Sequence, residues 1–250
     1  MQTLGWAMAG GIAFPFLMTS AGAAMVFLWA ARPRARSEKA TLGFAAGVMT
    51  AASVWSLLLP AIERSEALGL PGWLPAAAGL LAGVVFLAAM DGWFVRLAGD
   101  RSGTALLSAA ITLHNVPEGL AVGLAFALAA TDGGMAAAAA LSLGIGIQNF
   151  PEGLAIALPL RQAGRSQLNA FAGGVLSGAV EPVAALLTVW AAGLVVPALP
   201  YLLSFAAGAM IYVVVEELIP EMSEGNHSNI GTIFFAVGFS IMMILDVALG

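Results

Sequence analysis

HNVPEGLAVGLA, residues 114–125, and QNFPEGLAIALP, residues 148–159, decide how this chain is read. Each sets polar groups, a proline and a carboxylate at the head of an apolar run, and the second nearly repeats the first 34 positions on. On a helix His114 and Glu118 stand four apart, and Asn115 and Glu118 three apart, so all three share a face. Gln148, Asn149 and Glu152 have the same offsets. Pro117 and Pro151 carry no N–H, which frees the carbonyls of Leu113 and Ile147 from the helix ladder. Gly119 and Gly153 follow them and let another backbone come close.

The surroundings of these stretches are hydrocarbon-like. The 250 residues are 60% hydrophobic and only 9% charged, whereas a soluble domain carries about 25% charged residues. Most of the surface must therefore face lipid. Runs of roughly 20 apolar residues span a bilayer as helices, and the strict alternation of a membrane barrel is absent. Spans are expected at Gly5–Ala31, Ala40–Pro60, Leu74–Val95, Thr104–Ala130, Met135–Leu158, Leu168–Val195, Leu199–Ile219 and Asn229–Leu249. The separators are short and rich in Gly, Pro, Ser and Asp, so residues 1–250 are expected to form a single transmembrane domain. The first residues lack a basic region and a cleavage site, and are read as a retained helix. Without cysteine there is no disulfide framework and no thiolate chemistry.

Eight of the nine basic residues fall on one side of this topology: Arg32, Arg34, Arg36, Lys39, Arg96, Arg101, Arg161 and Arg165, with Arg64 alone opposite. That side is expected to be the cytoplasm. Both termini then lie outside an inner-membrane, multi-pass protein.

The expected fold is an all-α integral membrane protein of eight transmembrane helices. GFAAGVMTAASVWSLLLP in the second span resembles SFAAGAMIYVVVEELIP in the seventh: Phe44-Ala45-Ala46-Gly47 matches Phe205-Ala206-Ala207-Gly208, and Met49 matches Met210. Pro60 and Pro220 are read as closing the two helices. Spans 1–3 and 6–8 then form an inverted repeat around a central antiparallel pair, 4 and 5, a symmetry that places a binding site near the midplane.

Charge gives that site its chemistry. A carboxylate at mid-bilayer costs several kcal/mol, and spans 4, 5 and 6 hold no Lys or Arg to offset it. Glu181, in the apolar run LSGAVEPVAAL beside Pro182, adds a third acid. The missing positive charge has to come from outside. Carboxylates, an imidazole and amide oxygens together suit a divalent ion such as Zn²⁺, Fe²⁺ or Mn²⁺. Polar glue between helices, the plainer reading, suits Asn and Gln but not three Glu and a His without a cationic neighbour.

H-N-x-P-E-G, x-N-x-P-E-G and the later E-P pair resemble the ZIP family of divalent metal transporters. FAAGAMIYVVVEELIPE is similar to that family's bacterial and GufA-like branch. The resemblance implies a transporter, usually dimeric, moving metal into the cytoplasm. Its implied metal ligands are His114, Asn115, Glu118, Gln148, Asn149, Glu152 and Glu181, with a two-metal arrangement bridged by Glu118 and Glu152 in some members. The chain departs from the pattern at Gln148, where many members have His, and at Asn149, where some have Asp.

Zinc is the expected cargo, with iron, manganese or cadmium as further candidates. No prosthetic group, catalytic residue or nucleic-acid partner is expected; the partners are divalent metal ions, membrane lipid and a second copy of the chain. Proton competition at Glu118, Glu152 and Glu181 is expected to weaken metal binding at low pH. An enzyme is not expected, because H-E-x-x-H is absent. The alternative is a proton-coupled carrier of an organic solute that uses the acids as a relay. Glu216, Glu217 and Asp91 are candidates for a cytoplasmic exit, the last with Arg96 as an alternative partner. His227 with Glu221 and Glu224 is read as solvated loop, and Asp246, near the outer end of span 8, as solvated rather than functional. Ser53, Ser56, Met49 and Met210 are read mainly as helix-packing contacts.

Overall fold

The computed structural model describes residues 2–28, 35–98, 103–132, 134–192, 198–225 and 228–249. All regular structure among them is helical. The helices are α1 (Gln2–Ala24), α2 (Ala35–Ala52), α3 (Leu59–Ala67), α4 (Trp73–Ala98), α5 (Gly103–Asp132), α6 (Met135–Gln162), α7 (Gln167–Gly178), α8 (Val180–Ala192), α9 (Leu199–Val213), α10 (Ile219–Ser223) and α11 (Ile230–Leu249). Among the described residues six stretches are long and apolar enough to cross a bilayer: Gly5–Phe27, Lys39–Ala67, Trp73–Trp93, Gln167–Ala191, Leu199–Ser223 and Ile230–Ala248. Asn115–Ala130 in α5 is a shorter apolar helix.

Side-chain size is distributed as lipid requires. Large apolar groups point outward, including Leu81 and Phe86 of α4, Leu186 and Trp190 of α8, and Phe234 and Ile244 of α11. Small ones fill the interior, with Ala46, Ala51, Ala52, Ala206, Ala207 and Ala209 fully buried. Lipid supplies no hydrophobic force between helices, so close packing of small residues has to hold them together.

The packing sorts the helices into two groups. In one, α1 lies along α6 and α5 along α8, with α7 closing the set; in the other, α2 lies along α11 and α4 along α9. Glycine makes these contacts close. A Cβ at Gly47 would overlap the carbonyl of Phe235 and one at Gly238 that of Phe44, joining α2 to α11; Gly83 and Gly208 do the same between α4 and α9. Gly119 and Gly123 seat α5 on α8, and Gly22 and Gly153 join α1 to α6. The groups meet at α2 and α6, at α5 and α9, and at α6 and α11; at the last of these, Gly144 faces the flexible Met242 side chain.

One expectation changes. Pro60 and Pro220 do not close their helices, which run on to Ala67 and Ser223. Each proline follows a π turn, Ser53–Leu58 in one case and Val214–Leu218 in the other. There the N–H of Leu59 reaches back five residues to the Val54 carbonyl, and that of Ile219 to Val214. The wider turn accommodates the proline without ending the helix. The expected span Leu168–Val195 is matched among the described residues by one stretch, Gln167–Ala191. Ala179, where α7 meets α8, keeps a helical backbone and its N–H still bonds the Val175 carbonyl, while Pro182 lies in the first turn of α8.

Candidate metal site

α5 ends at Asp132 and α6 begins at Met135, so the two PEG stretches lie on consecutive helices. Both helices run through their prolines without interruption. Asn115, Glu118, Gln148 and Asn149 are buried, and so is Glu181 in the first turn of α8. The fold does bring carboxylates and amides from α5, α6 and α8 together. Gln148 Nε2 donates to Glu118 Oε1 at 2.6 Å, and Asn149 Nδ2 to Glu181 Oε2 at 2.9 Å. Asn115 Nδ2 donates to the Ser177 carbonyl at 2.9 Å.

These bonds fix which way each amide points. A carbonyl or carboxylate can accept but not donate, so the NH₂ end must face it and the oxygen must face away. The result is a set of acceptors with nothing to accept. Asn115 Oδ1, Gln148 Oε1, Asn149 Oδ1, Glu118 Oε2 and Glu152 Oε1 are all buried without a hydrogen-bond partner. A buried polar atom left in that state costs about 1–3 kcal/mol. The one Lys or Arg of these helices, Arg161, is exposed at the end of α6 and bonds the Arg165 carbonyl. Among the described residues the unpartnered groups here are all oxygens, with no Lys or Arg beside them, and such an interior suits a cation from solution. No three His, Asp or Glu side chains among the described residues are gathered closely enough to hold a metal by themselves, and the unpartnered amide oxygens of Asn115, Gln148 and Asn149 add donors to the carboxylates. His114 falls on α5, but its side chain lies outside the described residues, as does His227.

Two groups at the site escaped the sequence reading. Ser177 contributes its backbone carbonyl, which no side-chain pattern announces. Thr19 of α1 is fully buried, with Oγ1 at 3.1 Å from Glu181 Oε1. Nothing near Thr19 in the sequence marks it, since its partner is 162 positions away.

The other candidates fall elsewhere. Tyr212 donates to Asp91 Oδ2 at 3.4 Å, while the side chain of Arg96 lies outside the described residues. Glu216 is exposed and Glu217 half-buried, both in the second π turn. Met49 and Met210 are core residues, and Ser53 donates back to the Met49 carbonyl. Asp246 is not solvated as expected: it accepts a 2.6 Å hydrogen bond from Ser56, and its Oδ2 is buried without a partner.

A family model described as ZIP Zinc transporter matches residues 95–246. The chain is 38% identical to "Zinc transporter ZIP11" of Xenopus tropicalis, over 93% of this chain and 94% of that protein. It is 39% identical to "Zinc transporter ZIPB" of Bordetella bronchiseptica, over 99% and 82%. "Zinc transporter GufA" of Myxococcus xanthus is 40% identical over 78% of this chain and 81% of its own.

Proposed function

Since this chain belongs to the ZIP zinc transporter family, we propose that it carries divalent metal, zinc foremost, into the cytoplasm through the oxygen-lined interior between α5, α6 and α8. It is a multi-pass membrane protein and not an enzyme. The observation that carries the reading is the row of buried, partnerless oxygens on Asn115, Glu118, Gln148, Asn149 and Glu152. Divalent metal would satisfy these oxygens and offset the buried carboxylate charge together, whereas neutral polar contacts between helices leave that charge uncompensated. His114 and Glu181 complete the ligand set in this proposal. Glu118 and Glu152 each have one such free oxygen, which supports a bridging role between two ions.

The finer topology is proposed on the same footing: eight spans in an inner membrane, both termini outside, two copies in the working unit, and one domain over 1–250. Helix pairing supports the inverted repeat. If spans 1, 2, 3 and 4 correspond to 6, 7, 8 and 5, the α2–α11 contact corresponds to α9–α4, and α1–α6 to α8–α5; these are the four pairings that dominate the fold. The two π turns before Pro60 and Pro220 correspond as well. Transport then consists of metal shedding most of its water, binding in the α5–α6–α8 interior, and leaving on the other face as one helix group rocks against the other.

The test is thermal melting of the purified protein with metal. At a Zn²⁺ or Cd²⁺ concentration near 100 times Kd, stabilisation of about 2.7 kcal/mol is expected, and Glu152→Ala abolishes it. Radiotracer uptake into proteoliposomes must fall in the same variant. A protein indifferent to both metals but stabilised by an organic solute overturns the proposal in favour of a proton-coupled carrier.

A further inference from the structure

We propose that Thr19 is a positioning residue for metal binding: from α1 it fixes the orientation of the Glu181 carboxylate. The inference rests on Glu181 belonging to the metal site proposed above. Glu181 is held at both oxygens, and by two different helices. Oε2 accepts from Asn149 of α6 at 2.9 Å, and Oε1 lies 3.1 Å from Thr19 Oγ1 of α1. A carboxylate gripped at both ends has its plane set, so its remaining lone pairs point in fixed directions before an ion arrives. Partners that orient a ligand in this way are a large part of a metal site's affinity.

Thr19 is itself held in place. Its hydroxyl also lies 3.1 Å from the Pro15 carbonyl, one turn back, so its single proton has a choice between its own helix and Glu181. A Cβ on Gly178 would come within 2.9 Å of Thr19 Cβ and Cγ2, so the glycine there leaves the room this side chain occupies. Back-bonding to Pro15 would satisfy a buried threonine whose only role was packing. The placement against a carboxylate of a third helix is the additional fact.

A second observation points to the same pair. Gly153, of the second PEG stretch, would clash through an added Cβ with the Thr19 carbonyl; Gly119, of the first, would clash with the Glu181 carbonyl. α1 therefore presents Thr19 to α6 where α8 presents Glu181 to α5. One slot holds a carboxylate and its counterpart a hydroxyl, and the hydroxyl is turned toward the carboxylate.

The experiment measures Zn²⁺ and Cd²⁺ affinity, each metal alone, on the full-length protein in detergent, with metal-free melting as a folding control. Metal affinity falls about tenfold for Thr19→Val and by no more than about twofold for Thr19→Ser, while the metal-free protein still melts cooperatively. Thr19→Ala, which cannot crowd Gly178, loses affinity as Thr19→Val does. In a Glu181→Ala background, Thr19→Val has no further effect. Wild-type affinity in Thr19→Val or Thr19→Ala, with Glu181→Ala impaired, overturns the role of Thr19 and leaves the metal site standing. Equal losses from Thr19→Val with and without the Glu181 carboxylate also overturn it. Unaltered binding in Glu181→Ala removes Glu181 from the site, and this inference with it.

Discussion

Asn149 uses its NH₂ on Glu181 and keeps its carbonyl oxygen unpaired, and Asn149→Asp separates the two roles. The change removes the donor and sets a second carboxylate against the first. Without metal the variant is expected to melt lower, by about 1–3 kcal/mol for the lost hydrogen bond alone. With Zn²⁺ the extra negative ligand enlarges the stabilisation beyond that of the parent. Melting with and without metal checks both signs, and a variant that shows neither effect takes Asn149 out of the site. The acids of this site are legible in the sequence, because a carboxylate in an apolar run has no innocent explanation in hydrocarbon. Thr19 is not. A threonine in an apolar helix is ordinarily satisfied by its own i−4 carbonyl, and only the fold shows that Glu181 stands beside it.

The elements of the metal site depend on glycine contacts that can be broken one at a time. Gly153→Ala drives a methyl into the Thr19 backbone, and Gly119→Ala does the same at Glu181. Backbone cannot swing aside as a side chain can, so each is expected to cost about 1–3 kcal/mol of stability and to weaken metal binding by parting the helices. Gly10→Ala is the control: nothing lies within 4 Å of its added Cβ. That variant is expected to be neutral or up to about 1 kcal/mol more stable, as alanine favours the helix. Melting in detergent ranks the three, and equal behaviour of Gly153→Ala and Gly10→Ala contradicts the packing. The close approach at both PEG glycines follows from sequence. The continuation past Pro60 and Pro220 does not, because a proline after an apolar run reads as a helix end and a π turn leaves no composition of its own.

Over the whole molecule, the helical membrane class follows from composition, and the matched FAAG segments are what prompt the proposed correspondence of the second and seventh spans. Which helix lies against which does not, since lipid-facing and partner-facing surfaces are equally apolar and only contact geometry tells them apart. The resulting division has a practical side. Every proposed ligand sits on α5, α6 or α8, inside one group, and the backbone-to-backbone glycine contacts described above also stay within a group. Between the groups, at Gly144 and Met242, a flexible side chain fills the gap. The natural chain has no cysteine, so Gly144→Cys with Met242→Cys would introduce the molecule's first thiols as a lockable pair. Oxidised, that latch is expected to halt uptake while zinc still titrates into the protein with its original affinity, and reductant should restart the flow. A stapled protein that keeps transporting would mean that the seam is not where the machine moves.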